Sequence, residues 1–284
     1  MPALEDALIS GYEITPMPHV AQQIIKMISD PDTTAAKLQD VISADQALST
    51  KILKMANSPF YGIPRAIRTL SSAIMILGYK TIRNLVFADA MKSMNKRFGL
   101  TEIMMWEHSL GASIASLLIA KEIRFPDPEE AFLAGLLHDI GKQIMNNYDS
   151  QKYMQVMERT YNEDVTYYFA EKEIFGFSHP EAGAHVVKKW KLSEELEKAI
   201  RYHHDGFQVL IKDNPFYLGK LPIIVNLADL ICIKSGIGRK NKYPELNISE
   251  SEAAALLRIT EGTISGLTDK IQKNFESEKD NFNY

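Results

Sequence analysis

Residues 132–142 read Phe132-Leu133-Ala134-Gly135-Leu136-Leu137-His138-Asp139-Ile140-Gly141-Lys142. The first six are apolar or small without interruption, the pattern of a helix buried on every side. An imidazole and a carboxylate follow directly. Burying an acid on such a helix is expensive unless a partner answers it. Asp229 raises the same problem inside Ile223-Ile224-Val225 and Leu227-Ala228-Asp229-Leu230. Two acids inside apolar helices call for cationic or hydrogen-bonding partners, and the histidines supply candidates: His108, His138, His179, and the pair His203-His204.

Outward from this stretch the spacing is helical almost throughout. Val20, Ile24, Ile25 and Ile28 share one face, as do Leu38, Val41 and Ile42. Asp45 is placed to cap a helix carrying Leu48, Ile52, Leu53 and Met55, which must stop at Asn57-Ser58-Pro59 because proline disfavours helical geometry in the preceding residue. A further helix runs through Ile74 and Leu77 to a stop at Gly78. Residues 80–94 resume the pattern with Ile82, Leu85, Val86 and Ala90. After the polar Asn95-Lys96-Arg97, a long helix is predicted over 102–123. Asp127-Pro128-Glu129-Glu130, Ser178-His179-Pro180-Glu181, Ser193 with its two glutamates, and Ser249 with Glu252 read as helix starts. Alternation of the strand type is rare, and Val165 to Phe169 is its best candidate. The expected fold is all-α, ending in a polar tail from Glu276 onward.

The 284 residues suffice for one large domain or two packed lobes, and 45% hydrophobic with 24% charged residues is a globular balance. A net charge of −4 gives no global field favouring nucleic acid. Basic residues between Lys51 and Arg97, interleaved with Phe60 and Tyr61, are better read as ordinary surface, so nucleic acid is an unlikely partner. The single cysteine, Cys232, sits in an apolar run; it excludes an internal disulfide and suits a reducing compartment. Glu5 and Asp6 precede any apolar stretch, unlike a secretory signal, and no uninterrupted apolar run approaches ~18 residues. The expectation is a cytoplasmic protein without a membrane span.

Imidazole and carboxylate together are a metal-site vocabulary: imidazole suits zinc, iron and related ions, and a carboxylate can bridge two of them. Successive residues on a helix lie ~100° apart around its axis, so His138 and Asp139 can serve one pocket only if both point obliquely into it. Several helices must then converge. Small residues make this feasible: Gly111, Ala112 and Ala115 follow His108 along one helix, and Ala134 and Gly135 precede His138. The same thin faces would equally suit a tightly packed, metal-free polar network. Lone histidines on amphipathic helices mostly just pack, and His19 and His185 are read that way. Lys142 has two readings, a cation aimed at a substrate phosphate or a solvated lysine near a helix C-terminus.

Several stretches resemble the HDOD family, relatives of the HD-domain phosphohydrolases. They include Pro16-Met17-Pro18, Ile28-Ser29-Asp30-Pro31-Asp32, Leu38-Gln39-Asp40-Val41-Ile42-Ser43, Leu53-Lys54-Met55-Ala56-Asn57-Ser58 with Phe60-Tyr61-Gly62, and Ala73-Ile74-Met75-Ile76-Leu77-Gly78. The resemblance continues through His138-Asp139 and His203-His204 to about residue 236. It implies a single HDOD unit: an N-terminal helical lobe over 14–100, an HD-like lobe over 101–240 and a C-terminal helical extension over 241–284. HDOD proteins are regarded as signalling modules, and many have lost metal ligands that this chain keeps. By resemblance to the HD-GYP phosphodiesterases, His108, His138, Asp139 and Asp229 would hold one ion. His179, His203 and His204 would hold a second, with Asp139 bridging and Lys142 facing a substrate phosphate.

Two departures stand against a cyclic-dinucleotide enzyme. The segment Asp205-Gly206-Phe207-Gln208 contains no Gly-Tyr-Pro, and Met104 stands where some relatives offer another carboxylate. The expected function is therefore a signalling protein that meets partner proteins through its N-terminal lobe and holds one or two divalent or transition-metal ions. Iron, manganese, zinc and nickel are not distinguished. The alternative is a metal-dependent phosphohydrolase acting on a phosphorylated small molecule, with Asp139 and Lys142 catalytic.

Overall fold

The computed structural model describes residues 17–282 except 29, 31, 95–98, 164, 205, 208–218 and 241. Glu5, Asp6, Pro16, Ser29, Pro31, the Asn95-Lys96-Arg97 junction, Asp205 and Gln208 therefore lie outside the described residues. Among the described residues all regular structure is helical and no strand occurs. They form two compact units, one within Asn95–Leu267 and the other within Met17–Met94 and Thr268–Tyr284. The segment from 241 onward is thus shared between the two.

The N-terminal unit begins with α1 (His19–Ile28), α2 (Ala35–Ser43) and α3 (Gln46–Ala56). Asp45 caps α3 by accepting from the Leu48 amide, and the helix gives way at Asn57 to a 3-10 turn over Pro59–Tyr61. In α4 (Leu70–Ser93) the helical line is interrupted at Gly78, whose φ of 80° takes the backbone out of the helical region. Ile24, Leu38, Ile42, Ile52, Ile74, Ile82 and Leu85 form the core of this unit. The residues expected to be a polar tail instead belong to the last helix, α14 (Glu261–Phe282). There Glu278 is fully buried and accepts from the Phe60 amide, which gives that polar stretch a fixed place.

The other unit contains α5 (Leu100–Glu122), α6 (Pro128–Leu137), α7 (Ile140–Tyr148), α8 (Ser150–Asn162), α9 (Tyr167–Phe175), α10 (His179–Lys189), α11 (Glu194–Tyr202), α12 (Leu221–Ser235) and α13 (Glu252–Leu257). Helix starts follow the capping signals: Asp127 accepts from Glu130, Ser193 from Leu196, and Ser178 forms a capping box with Glu181. Two expectations are corrected. Val165 to Phe169 is not a strand, because Thr166 Oγ1 takes the Phe169 amide and winds the aromatic run into α9. Ser249 does not start a helix; Ser251 does, by accepting from Ala254.

Helix α5 is the one described helix long and apolar enough to cross a membrane by length and composition, and most of it is buried inside the unit. Its small residues explain the burial. A Cβ on Gly135 of α6 would collide with the Ala112 carbonyl of α5, so these two helices approach backbone to backbone. Cys232 is buried on α12.

Candidate metal centre

The chain does not carry His138 and Asp139 on one continuous helix. Helix α6 ends at Leu137, His138 is its C-cap, and α7 begins at Ile140 with Asp139 in the N-cap position. The break removes the ~100° problem of neighbouring helical residues, so both side chains reach one interior. Gly141 makes the break possible from the other side: a Cβ there would strike the His179 carbonyl, so α7 and the start of α10 pack with no room to spare. Lys142 lies in the first turn of α7 and not near a helix C-terminus. It is 8% exposed, and its ammonium sits 2.6 Å from Asp139 Oδ2 and 4.8 Å from the Tyr167 ring centre. The solvated reading of Lys142 is excluded by this burial.

All the predicted residues come together. Four imidazoles obey one rule, in which Nδ1 faces an oxygen that accepts its hydrogen. The acceptors are Ile237 O for His108 at 3.2 Å, Gly135 O for His138 at 2.8 Å, Glu171 Oε2 for His179 at 2.6 Å, and Ile200 O for His203 at 2.7 Å. With the hydrogen on Nδ1, each Nε2 turns toward the carboxylates. From His108 it lies 3.0 Å from Asp229 Oδ1 and 3.7 Å from Asp139 Oδ2. From His138 it lies 3.4 Å from Asp139 Oδ2; from His179 and His203 it lies 3.2 Å and 3.8 Å from Asp139 Oδ1. His204 is the open member, 30% exposed, its Nε2 3.1 Å from that of His179.

These contacts fit a metal better than a closed hydrogen-bond network. His138 Nε2, His203 Nε2 and Asp139 Oδ1 are buried and make no hydrogen bond. Buried polar atoms are nearly always satisfied, and a cation between these side chains would supply the partner that these three lack. Two ligand sets emerge, His108/His138/Asp139 and Asp139/His179/His203/His204, each with its ligand atoms within 4.8 Å of one another. Asp139 belongs to both and is placed to bridge. Imidazole Nδ1 held by a backbone carbonyl or a carboxylate is the usual outer support of a metal-binding histidine.

The electrostatics agree. Burial opposes the charged form of Asp139, yet His138 and Lys142 outweigh it and hold the carboxyl well below its ordinary range. Burial likewise opposes ionisation of Asp229, and the neighbouring His108 side chain overrides it. Lys142 is pushed up, burial being outweighed by Asp139 and Glu171. Burial and the neighbouring His204 hold His203 well below the usual imidazole range, which leaves it neutral and ready to donate a lone pair. Two carboxylates held ionised, together with imidazoles such as His203 that are held neutral, form a donor set suited to a transition ion.

Some contributors were invisible in the sequence. Glu171 is fully buried; it accepts from both the His179 amide and Nδ1, and Tyr153 donates to its other oxygen at 3.4 Å. Its context, Glu171-Lys172-Glu173, reads as a solvated charge run, and no local signal separates it from its neighbours. The turn Gly236–Arg239 is equally silent. It places the Ile237 carbonyl on His108, and Gly238, at φ 65°, lies so close to α5 that a Cβ would meet the His108 backbone nitrogen. A cavity of about 530 Å³ adjoins the site, lined among others by Lys142, Tyr168, His204, Asp229, Arg239 and Tyr243. Neither His19, on α1, nor half-buried His185 belongs to either ligand set.

Residues 14–206 match the HDOD domain family. An HDOD domain protein of unknown function from Geobacter sulfurreducens aligns with a TM-score of 0.82 at 27% identity, over 99% of this chain and 97% of that one. A candidate phosphohydrolase from Shewanella amazonensis SB2B gives 0.73 at 24% identity over 98% and 97% of the two chains. A candidate signal transduction protein from Marinobacter aquaeolei VT8 gives 0.70 at 19% over 98% and 60%. The last two likenesses speak for the fold alone. The chain spans 38% and 32% of the lengths of the two curated relatives it matches, uncharacterised proteins from Treponema pallidum and Bacillus subtilis. With a helical core of this form and a family match over more than half its length, the chain belongs to the HDOD domain family.

Proposed function

We propose that the chain is a regulatory HDOD protein whose site-bearing unit holds one or two divalent or transition-metal ions. The observation that carries this reading is the common posture of four imidazoles, each tied at Nδ1 and turned at Nε2 toward two ionised carboxylates. His108, His138, Asp139 and Asp229 would hold one ion. His179, His203 and His204 would hold the second, with Asp139 shared. Such ions clamp helices together, so that binding free energy becomes folding or switching free energy, and they supply Lewis acidity and an activated water. Signalling partners would meet the N-terminal unit, where Met75 and Ile76 stand 70% and 53% exposed just before Gly78.

Metal-dependent phosphoester hydrolysis is a second reading, favoured by the cavity beside His204 and Asp229. Its lining brings Lys142 and Arg239 together with aromatic and apolar groups, a composition suited to a phosphorylated small molecule. In that case Asp139 orients the centre, Lys142 holds Asp139 in place, and the apolar walls exclude water.

Elemental analysis of the purified chain tests the first reading: one or two equivalents of metal are expected in the wild type and none in Asp139→Ala. A metal-free wild type, reloaded without uptake, would sink it. Assays against phosphate mono- and diesters separate the readings, since turnover abolished by Asp139→Ala supports hydrolysis and a metal-bound chain without turnover leaves regulation alone.

A further inference from the structure

We propose that Arg239, rather than Lys142, is the side chain that recognises the anionic group of the ligand in this cavity; the inference rests on the phosphorylated-ligand reading of the site. Lys142 is already engaged. Its ammonium donates to Asp139 Oδ2 at 2.6 Å, it is 8% exposed, and it lies over the Tyr167 ring. Drawing it toward a phosphate would leave the shared carboxylate without its cation in a buried setting, which is costly. Lys142 is therefore a positioning residue for Asp139.

Arg239 has the opposite standing. It is half-buried, and among the described residues its guanidinium has neither a hydrogen bond nor an ion pair. It lines the 530 Å³ cavity beside His204 and Asp229, and also a smaller one of about 80 Å³ beside His108 and Asp139. A guanidinium offers five N–H donors in a rigid fork that matches two oxygens of a phosphoryl group. Withdrawing such a fork from water without an acceptor is unfavourable, and a ligand in the cavity would bring one.

The backbone sets its position. Helix α12 ends at Gly236 with φ 73°, and the Ile237 carbonyl accepts from His108 Nδ1. Gly238 then packs against α5 at His108, and Arg239 follows as the next residue. The fork is thus indexed to the same histidine that faces Asp229 and Asp139. Tyr168, Tyr243, Leu230 and Ile233 are among the other residues lining the larger cavity and offer apolar and aromatic surface to the remainder of the ligand.

Calorimetric titration of the full-length chain with inorganic phosphate, alongside metal content and a thermal melt for each variant, decides the matter. Arg239→Ala is expected to weaken phosphate binding about 10- to 100-fold, the loss of one charge-assisted bidentate contact, with metal content and melting unchanged. Arg239→Lys should recover only part of the affinity because the fork is gone. Lys142→Met should lower metal content. An Arg239→Ala chain that binds phosphate within about twofold of wild type overturns the proposal. So does a wild type with no phosphate affinity, or a Lys142→Met chain that keeps its metal and loses phosphate. Should the wild type take up no metal, the metal reading fails separately, and the same titration of the metal-free chain still decides Arg239.

Discussion

Two buried acids, one in each unit, show what distinguishes structural burial from a site. Glu278 of the N-terminal unit is fully buried, and both oxygens have donors: the Phe60 amide and Ser277 hydroxyl on one, Asn281 on the other. Its charge is spread over neutral donors and holds a turn to a helix. Asp139 of the other unit is 8% exposed and meets Lys142 on one oxygen, but its Oδ1 has no hydrogen bond and faces imidazole nitrogens. The first acid closes its network. The second leaves lone pairs pointing at a common centre, which is stable only with cationic company.

The largest expected effect comes from Asp139→Ala. It should empty both ion positions and strand Lys142, costing about 3–5 kcal/mol in urea unfolding of the metal-free chain. Unchanged stability would erase the contrast with Glu278. Next is Gly141→Ala, whose new methyl collides with the His179 carbonyl. About 1–3 kcal/mol of destabilisation is expected, together with weaker metal uptake in competition with a chelator, because the start of α10 must move. Glu278→Ala should cost about 1–3 kcal/mol through the stranded Phe60 amide, yet leave metal content untouched. Loss of metal in that variant would break the distinction between the two acids.

The smallest effect is a gradual loss of metal-free stability on acidification. Burial lowers His108 and, with neighbouring imidazoles, His203; His204 moves the same way but is 30% exposed and counts for less. His138 is raised, since Asp139 outweighs its burial, and works in the opposite direction. A folded state that refuses protons the unfolded chain accepts near pH 6.5 is stabilised above that pH and loses the advantage below it. Lowered groups outnumber the raised one, so stability measured by urea should fall between about pH 6.5 and 5. A flat profile there would show that these imidazoles are not held neutral in the folded protein.

Much of this was legible from the chain alone, because helix periodicity, capping residues and the cost of stranding Asp139 and Asp229 among aliphatic side chains are local properties. Capping chemistry at Asp45, Asp127, Ser178 and Ser193 fixed helix starts for the same reason. His138, Asp139 and Asp229 stood out because such groups are rare inside apolar segments, whereas the full set of seven candidate ligands was implied by the family resemblance. Tertiary structure alone decided that His138 and Asp139 sit at a helix break, that Glu171 is buried, that Lys142 is spent on Asp139, and that Arg239 reaches the cavity. Each depends on what lies opposite in space, many residues away in sequence, and a charge run such as Glu171-Lys172-Glu173 reads the same whether its first acid meets water or the imidazole of His179.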